Sequence, residues 1–384
     1  MNDEDYGRGD WVKAGHKWGA DTYINEGDSM FKPVLTLILV LIFVGCLLPQ
    51  VHAGSRLVNI RQIDYGAYPC NSQYPGLSAS GQQVAFESDC NWAGNNALRN
   101  NEIFVMEIDG SNPVQVTSGA TSDNPYLPSC NAALDASGKR LAFWSSADLI
   151  PGQNTDGNSD IFRAYADGTG LMQLTQTVGG GGGYAAHCCP AIDYAGRTIV
   201  FASYFDPTNE NADLGHGELW IVNWDGSHLS RLTNTPFGGS SEWPVFDGNG
   251  RVYFASGANW TGENPYGWIE IFRIDPQTGE VEQLSHLMSF IGGYWIGRMG
   301  VNASGRKVIF PMRTRDNLPG IPHLELFLLD TKSREIAQLT QTESGRGCFT
   351  ASMSASGKRV AYTCEVPGQP QNAGYRVFIA DVVY

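Results

Sequence analysis

LSASGQQVAF stands at residues 77–86, LDASGKRLAF at 134–143, VNASGRKVIF at 301–310 and MSASGKRVAY at 353–362. A phrase repeated in this way is architecture before it is chemistry. Its glycine belongs to a longer series, Gly81, Gly138, Gly196, Gly250, Gly305 and Gly357, spaced 52 to 58 residues apart. That period is the spacing of propeller blades or arrays. An apolar run follows each glycine: VAF, LAF, IVF, VYF, VIF and VAY. The pattern reads as a tight turn and then a strand, with glycine supplying the positive φ.

A second phrase comes later in each period: NEIFVMEIDG (101–110), SDIFRAYADG (159–168), GELWIVNWDG (217–226), IEIFRIDPQTG (269–279), LELFLLDTKS (324–333) and YRVFIADVVY (375–384). A short third phrase ends most repeats: VQVT, MQLT, SRLT, EQLS and AQLT. Each repeat therefore offers strand A, the glycine turn, strand B, a variable loop, strand C, a second turn and strand D. Strands this short cannot bury both faces alone, but sheets stacked around an axis can. The sixth repeat ends after strand C at Tyr384, while SRLVNIRQID at 55–64 is β-like and precedes the first strand A. Residues 56–63 are expected to supply the missing outer strand, which removes an exposed edge. The expected fold is all-β: a six-bladed β-propeller of four-stranded antiparallel blades, the last closed by the N-terminal strand.

Over roughly residues 56–384 the repeats resemble the TolB-like (WD40-like) propeller repeat. The likeness lies in the glycine turn, the apolar-Ala-Phe strand, NEIFVMEIDG and QLT. The turn departs from the family's Ser-Pro-Asp-Gly by reading Ser-Ala-Ser-Gly, which loosens it without forbidding it. The resemblance implies a binding scaffold and a bacterial periplasmic or envelope role. It implies no Tol-complex partner, because residues 54–71 leave no room for the amino-terminal domain that TolB carries.

Composition narrows the partners. The net charge is −14, which argues against nucleic acid, since phosphate binding needs Lys and Arg to replace counterions. Residues 33–48, PVLTLILVLIFVGCLL, are uncharged, short for a bilayer span and suited to a signal-peptide core. Cleavage after Ala53 is the natural reading. Residues 1–29 carry seven acidic and three basic residues, the wrong sign for a cytoplasmic flank. The expected organisation is 1–29 as a mis-annotated extension or disordered segment, 30–53 as a signal peptide and 54–384 as the propeller. The product would be periplasmic or secreted. The alternative keeps the chain anchored by residues 33–48, its only expected membrane contact. A closed ring of this kind is expected to be a monomer.

Export permits disulfides. Cys70 and Cys90 lie at −11 and +9 from their turn glycine, Cys348 and Cys364 at −9 and +7. Both sums fit facing partners across an A–B hairpin, so Cys70–Cys90 and Cys348–Cys364 are expected, worth about 3 kcal/mol each. Cys130 could bridge to Cys188 or Cys189, and a Cys188–Cys189 bond is the strained alternative. Structural bridges outweigh zinc, for which HCC at 187–189 offers too few converging ligands.

Catalytic signatures are mostly missing: there is no G-x-S-x-G, H-E-x-x-H or P-loop. In PGQNTDGNSDIF (151–162), Asn154, Asp156, Asn158 and Asp160 alternate oxygen ligands as calcium loops do, without the terminal Glu. Asp160 also occupies the slot held by Glu102, Glu218, Glu270 and Glu325 elsewhere, which favours a structural task over calcium, the one cofactor candidate. A second candidate site is the mouth of the central tunnel, where A strands begin and B strands end. There the sequence places Tyr126, His187, Glu242, Trp243, Tyr294, Trp295, Arg298 and Arg346. Aromatics with a few polar groups make a ligand face, though propeller aromatics more often fill inter-blade core. The expected function is non-catalytic binding of a protein, peptide or glycan. The alternative is a polysaccharide-acting hydrolase or lyase, which needs two convergent carboxylates or a metal.

Overall fold

The computed structural model describes residues 54–65, 70–119, 127–177, 187–208, 213–236, 238–287, 296–313, 324–342, 347–366 and 374–384. The expected leader and the residues before it, along with Tyr126, Tyr294, Trp295 and Arg346, lie outside this set.

Six antiparallel sheets of four strands follow one another along the chain. Blade one is β2 (Ser72–Leu77), β3 (Gln83–Ser88), β4 (Glu102–Glu107) and β5 (Val114–Gln115). Blade two is β6 (Ser129–Leu134), β7 (Arg140–Ser145), β8 (Asp160–Tyr165) and β9 (Met172–Gln173). Blade three is β10 (His187–Ile192), β11 (Thr198–Phe205), β12 (Asp213–Asn223) and β13 (Ser230–Arg231). Blade four is β14 (Ser241–Phe246), β15 (Val252–Ser256), β16 (Glu270–Ile274) and β17 (Val281–Gln283). Blade five is β18 (Gly300–Val301), β19 (Lys307–Arg313), β20 (Leu324–Asp330) and β21 (Ile336–Gln338). Blade six is β22 (Cys348–Met353), β23 (Arg359–Glu365) and β24 (Tyr375–Val383), completed by β1 (Arg56–Gln62). The inner strands β2, β6, β10, β14, β18 and β22 neighbour one another in that order, and β22 returns to β2. The ring is a six-bladed propeller closed by its first strand.

The six turn glycines all adopt φ between 66° and 80°, a region that penalises a Cβ. Each hairpin then sets large side chains opposite one another on β-strands B and C. Phe86–Phe104, Phe143–Phe162, Phe254–Phe272, Phe310–Phe327 and Tyr362–Phe378 are stacked cross-strand pairs. The core is not central. It divides into six apolar clusters, each shared by two adjacent blades. Leu77, Phe86 and Phe104 of blade one, for example, pack on Ile63, Ala361, Val377 and Ile379 of blade six. No blade owns a core of its own, so the ring is stable only as a whole.

Cys70 is bonded to Cys90 and Cys348 to Cys364, and Cys348 faces Cys364 in the β22–β23 register. Cys130, Cys188 and Cys189 remain thiols, so the bridge from Cys130 to blade three is not made.

Candidate functional site

The inner strands share a local irregularity. Each of β2, β6, β10 and β14 carries a bulge against its B strand. The residue in that bulge lies seven positions before the turn glycine: Tyr74, Asn131, Cys189 and Trp243, with φ of 53°, 58°, 56° and 54°. A bulge re-aims its extra residue. In blade five the same position is Arg298, just before the short strand β18; in blade six it is Thr350, which pairs with Thr363, and the extra residue of the β22 bulge is its neighbour Phe349. These six positions ring the axis.

Two of them meet across the channel. The rings of Tyr74 in blade one and Trp243 in blade four stack with centroids 6.1 Å apart and planes within 7°. Phe349 of blade six meets Tyr74 edge-on at 6.2 Å. Arg298 crosses as well: its Nη1 donates to the Tyr74 carbonyl at 2.9 Å and its Nη2 to the Ala132 carbonyl at 2.7 Å. Gly76 makes room for this arm, because a Cβ there would stand 2.7 Å from the Ala132 oxygen and 3.1 Å from Nη2. Burial away from water pulls the guanidinium down to about 10, and the nearby Cys189, Glu87 and Tyr74 oppose that shift. It stays charged at neutral pH. A cavity of about 80 Å³ remains along the axis beside Gly76, Cys189, Trp243, Arg298 and Gly300.

Two larger cavities flank this plug where A strands begin and B strands end. One, of about 690 Å³, lies between blades one and two against Gln73, Tyr74, Glu87, Asn131 and Trp144. The other, of about 600 Å³, lies against His216, Ser240, Glu242, Ser256 and Ile296. Glu87 is 4% exposed. Burial pushes it up to about 7, opposed by the Asn131 N–H, the Cys130 thiol and the Arg298 charge. The Asn131 N–H reaches Glu87 Oε2 at 3.0 Å. Burial and the neighbouring carboxylate hold the Cys130 thiol well above the usual range. Cys188 and Cys189 place their sulfurs 2.7 Å apart, and burial likewise raises the Cys189 thiol.

The candidate residues divide. Trp243 and Arg298 meet at the axis. Glu242 stands beside the second cavity and accepts a hydrogen bond from the Tyr204 hydroxyl. His187 is fully buried between blades two and three: Nε2 lies 2.6 Å from Thr177 Oγ1, Nδ1 lies 2.7 Å from Ser203 Oγ, and the ring meets Phe201 edge-on. In the 154–160 loop the two carboxylates serve the protein, while the buried Asn154 Oδ1 has no hydrogen-bond partner. Asp156 accepts from the Asn158 N–H and Nδ2, and Asp160 from Thr175 and Thr177. Asn154 Nδ2 donates to the Asn158 carbonyl at 2.9 Å. Among the described residues, the one group of three or more His, Cys, Asp or Glu side chains close enough to share an ion is Cys70, Asp89 and Cys90, whose cysteines are bonded to each other. Tyr74, Glu87 and Asn131 were not singled out from the sequence. Aligning the repeats on their glycines and reading across the −7 position would have exposed two of them.

Six four-stranded blades around a plugged axis define a β-propeller with the architecture of the TolB-like repeat. The chain is similar to the putative TolB from Agrobacterium tumefaciens, with 15% identity and a TM-score of 0.53 over 85% of this chain and 98% of that one. It is also similar to TolB from Acinetobacter baumannii, with 17% identity and a TM-score of 0.51 over 79% of its length. It spans 64% of that second protein. At these identities the likeness is one of fold. No family profile and no curated protein matches the chain.

Proposed function

We propose that this protein is an exported, non-catalytic propeller that binds a protein, peptide or glycan on the face where its inner strands begin. The axial plug carries the reading. The Tyr74–Trp243 stack and Phe349 present aromatic surface, and the donors of Arg298 are spent on main-chain carbonyls rather than aimed at a reacting group. Such a face is preformed, which lowers the ordering cost of binding. The leader-like segment at 33–48 and the two disulfides support export to an oxidising compartment.

Calorimetric titration with tetrasaccharides and short peptides tests the reading. A saturable heat is expected, weakened in Trp243→Asn, a substitution chosen because Asn tolerates the positive φ there. Absence of binding by either class, or release of shortened products from a polysaccharide, would overturn it.

A further inference from the structure

We propose that the cavity between blades one and two seats a neutral sugar residue of a glycan, an inference that rests on the loop-face reading above. Its volume, about 690 Å³, is that of a small-molecule site. Much of its polar lining is planar: the amides of Gln73, Asn101 and Asn131, the carboxyls of Glu87 and Asp89, and the guanidinium of Arg99. Each amide can donate and accept side by side, which matches the paired hydroxyls of a sugar ring. Tyr74 and Trp144 add apolar surface for the ring's C–H face.

The charges within the cavity are already answered. Glu87 feels Arg298, and Asp89 feels Arg99 and Arg376. A cationic or anionic ligand would therefore upset a balance that a neutral polyol leaves alone.

Asn131 points to an occupant. It is 7% exposed, and its Oδ1 has no hydrogen-bond partner, an uncommon and costly state for a buried amide oxygen. Backbone conformation accounts for an Asn at φ 58°, but it does not account for the empty oxygen. Oδ1 is closed off from water as the amide stands, so a ligand hydroxyl would supply the missing donor once the amide turns toward the cavity that Asn131 lines. The Asn131 N–H meanwhile holds Glu87 in place at 3.0 Å, so acid and amide line the cavity as one rigid pair.

The test titrates the whole protein by calorimetry with cellotetraose, maltotetraose and N-acetylchitotetraose, and separately with trigalacturonate and a tetra-alanine peptide. At least one neutral sugar should bind more tightly than about 1 mM. Asn131→Gly, which keeps the backbone conformation, should weaken it about tenfold or more. Should that variant fail to fold, Gln73→Ala on the half-buried rim is expected to weaken binding in the same direction. His216→Ala in the other large cavity should leave it unchanged. Sugar binding indifferent to both cavity variants but lost in Trp243→Asn would overturn this site while leaving the loop-face reading standing. So would preference for trigalacturonate or the peptide. Failure of every ligand would sink both.

Discussion

Nine residues before each turn glycine, and facing it on strand B, one geometric slot is filled four ways across the six blades. Ser72 and Ser88 pair at 3.0 Å, and Ser129 and Ser145 at 2.9 Å. Ser241 sits opposite Ser256. In blade three His187 bridges to Ser203, in blade five Ile296 faces Met312, and in blade six the pair is the Cys348–Cys364 disulfide. The histidine is thus a bulkier variant of a buried serine. His187→Ser should remove its bond to Thr177 and its contact with Phe201, leaving a void. A loss of about 2 kcal/mol is expected in urea denaturation, with no loss of ligand affinity. The sequence showed His187 and Trp243 at equal weight because each is a chemically capable residue near the start of a strand. Only the register separates them: position −9 is buried against its own strand B and the preceding blade, and position −7 faces the axis. Trp243 and Arg298 were legible as large or charged side chains. Tyr74 and Asn131 were not, because their importance lies in a bulge that no single repeat announces.

At the scale of the strand, the outer element of blades one to five is only two or three residues long, too short to hold by ladder bonds alone. A side-chain lock supplements it. In blade three the Leu219 N–H donates to Thr233 Oγ1 at 2.8 Å, Thr233 Oγ1 donates to Glu218 Oε2 at 2.5 Å, and the Thr235 N–H donates to Oε1 at 2.9 Å. Thr117 with Glu102, Thr175 with Asp160, Ser285 with Glu270 and Thr340 with Glu325 repeat the arrangement. The recurring acid and the terminal Leu-Thr were visible in the sequence as separate phrases; their contact depends on strand pairing and was not. Glu218 is fully buried, so Glu218→Ala strands several donors at once. A destabilisation of about 3 kcal/mol is expected, read as a lower urea midpoint at unchanged slope. The same lock bears on the 154–160 loop. With Asp160 held by Thr175 and Thr177 and Asp156 by Asn158, a calcium ion would have to displace protein donors. The melting temperature is therefore expected to stay the same in EDTA and in excess calcium, and a calcium-dependent rise would refute this.

For the whole molecule, the decisive contact joins residues more than three hundred positions apart, and here the lock is inverted. Ile63 N donates to the Val377 carbonyl, and Val377 N donates to Asp64 Oδ1 at 3.0 Å. Gln62-Ile63-Asp64 thus takes the place of Gln115-Val116-Thr117, and Gln62 Nε2 bonds the Asp64 carbonyl at 2.6 Å as Gln115 Nε2 bonds that of Thr117 at 2.8 Å. The acid now lies on the outer segment, while strand C offers Arg376, opposite Cys364 as Glu102 is opposite Ser88. Asp64 is fully buried. Burial pushes it up to about 8, resisted by Ser72, Arg376 and the Val377 N–H. A carboxyl raised in the folded state keeps its proton after the unfolded chain has lost its own, so stability falls as pH climbs from about 4 toward 8. Glu87, raised to about 7, and Asp160, raised to about 6, act in the same sense. The carboxyls held low, such as Asp330 beside Lys307 and Arg306, lose their contribution only below about pH 4. Thermal melts should therefore show the ring more stable at pH 5 than at pH 8.5. Asp64→Thr restores the residue type of the other blades and leaves a hydroxyl for Val377 N. It should flatten that slope and gain on the order of a few kcal/mol at the alkaline end. A melting temperature that rises with pH in the parent protein, or a slope untouched in Asp64→Thr, would show that the closing strand is held by something other than this inverted pair.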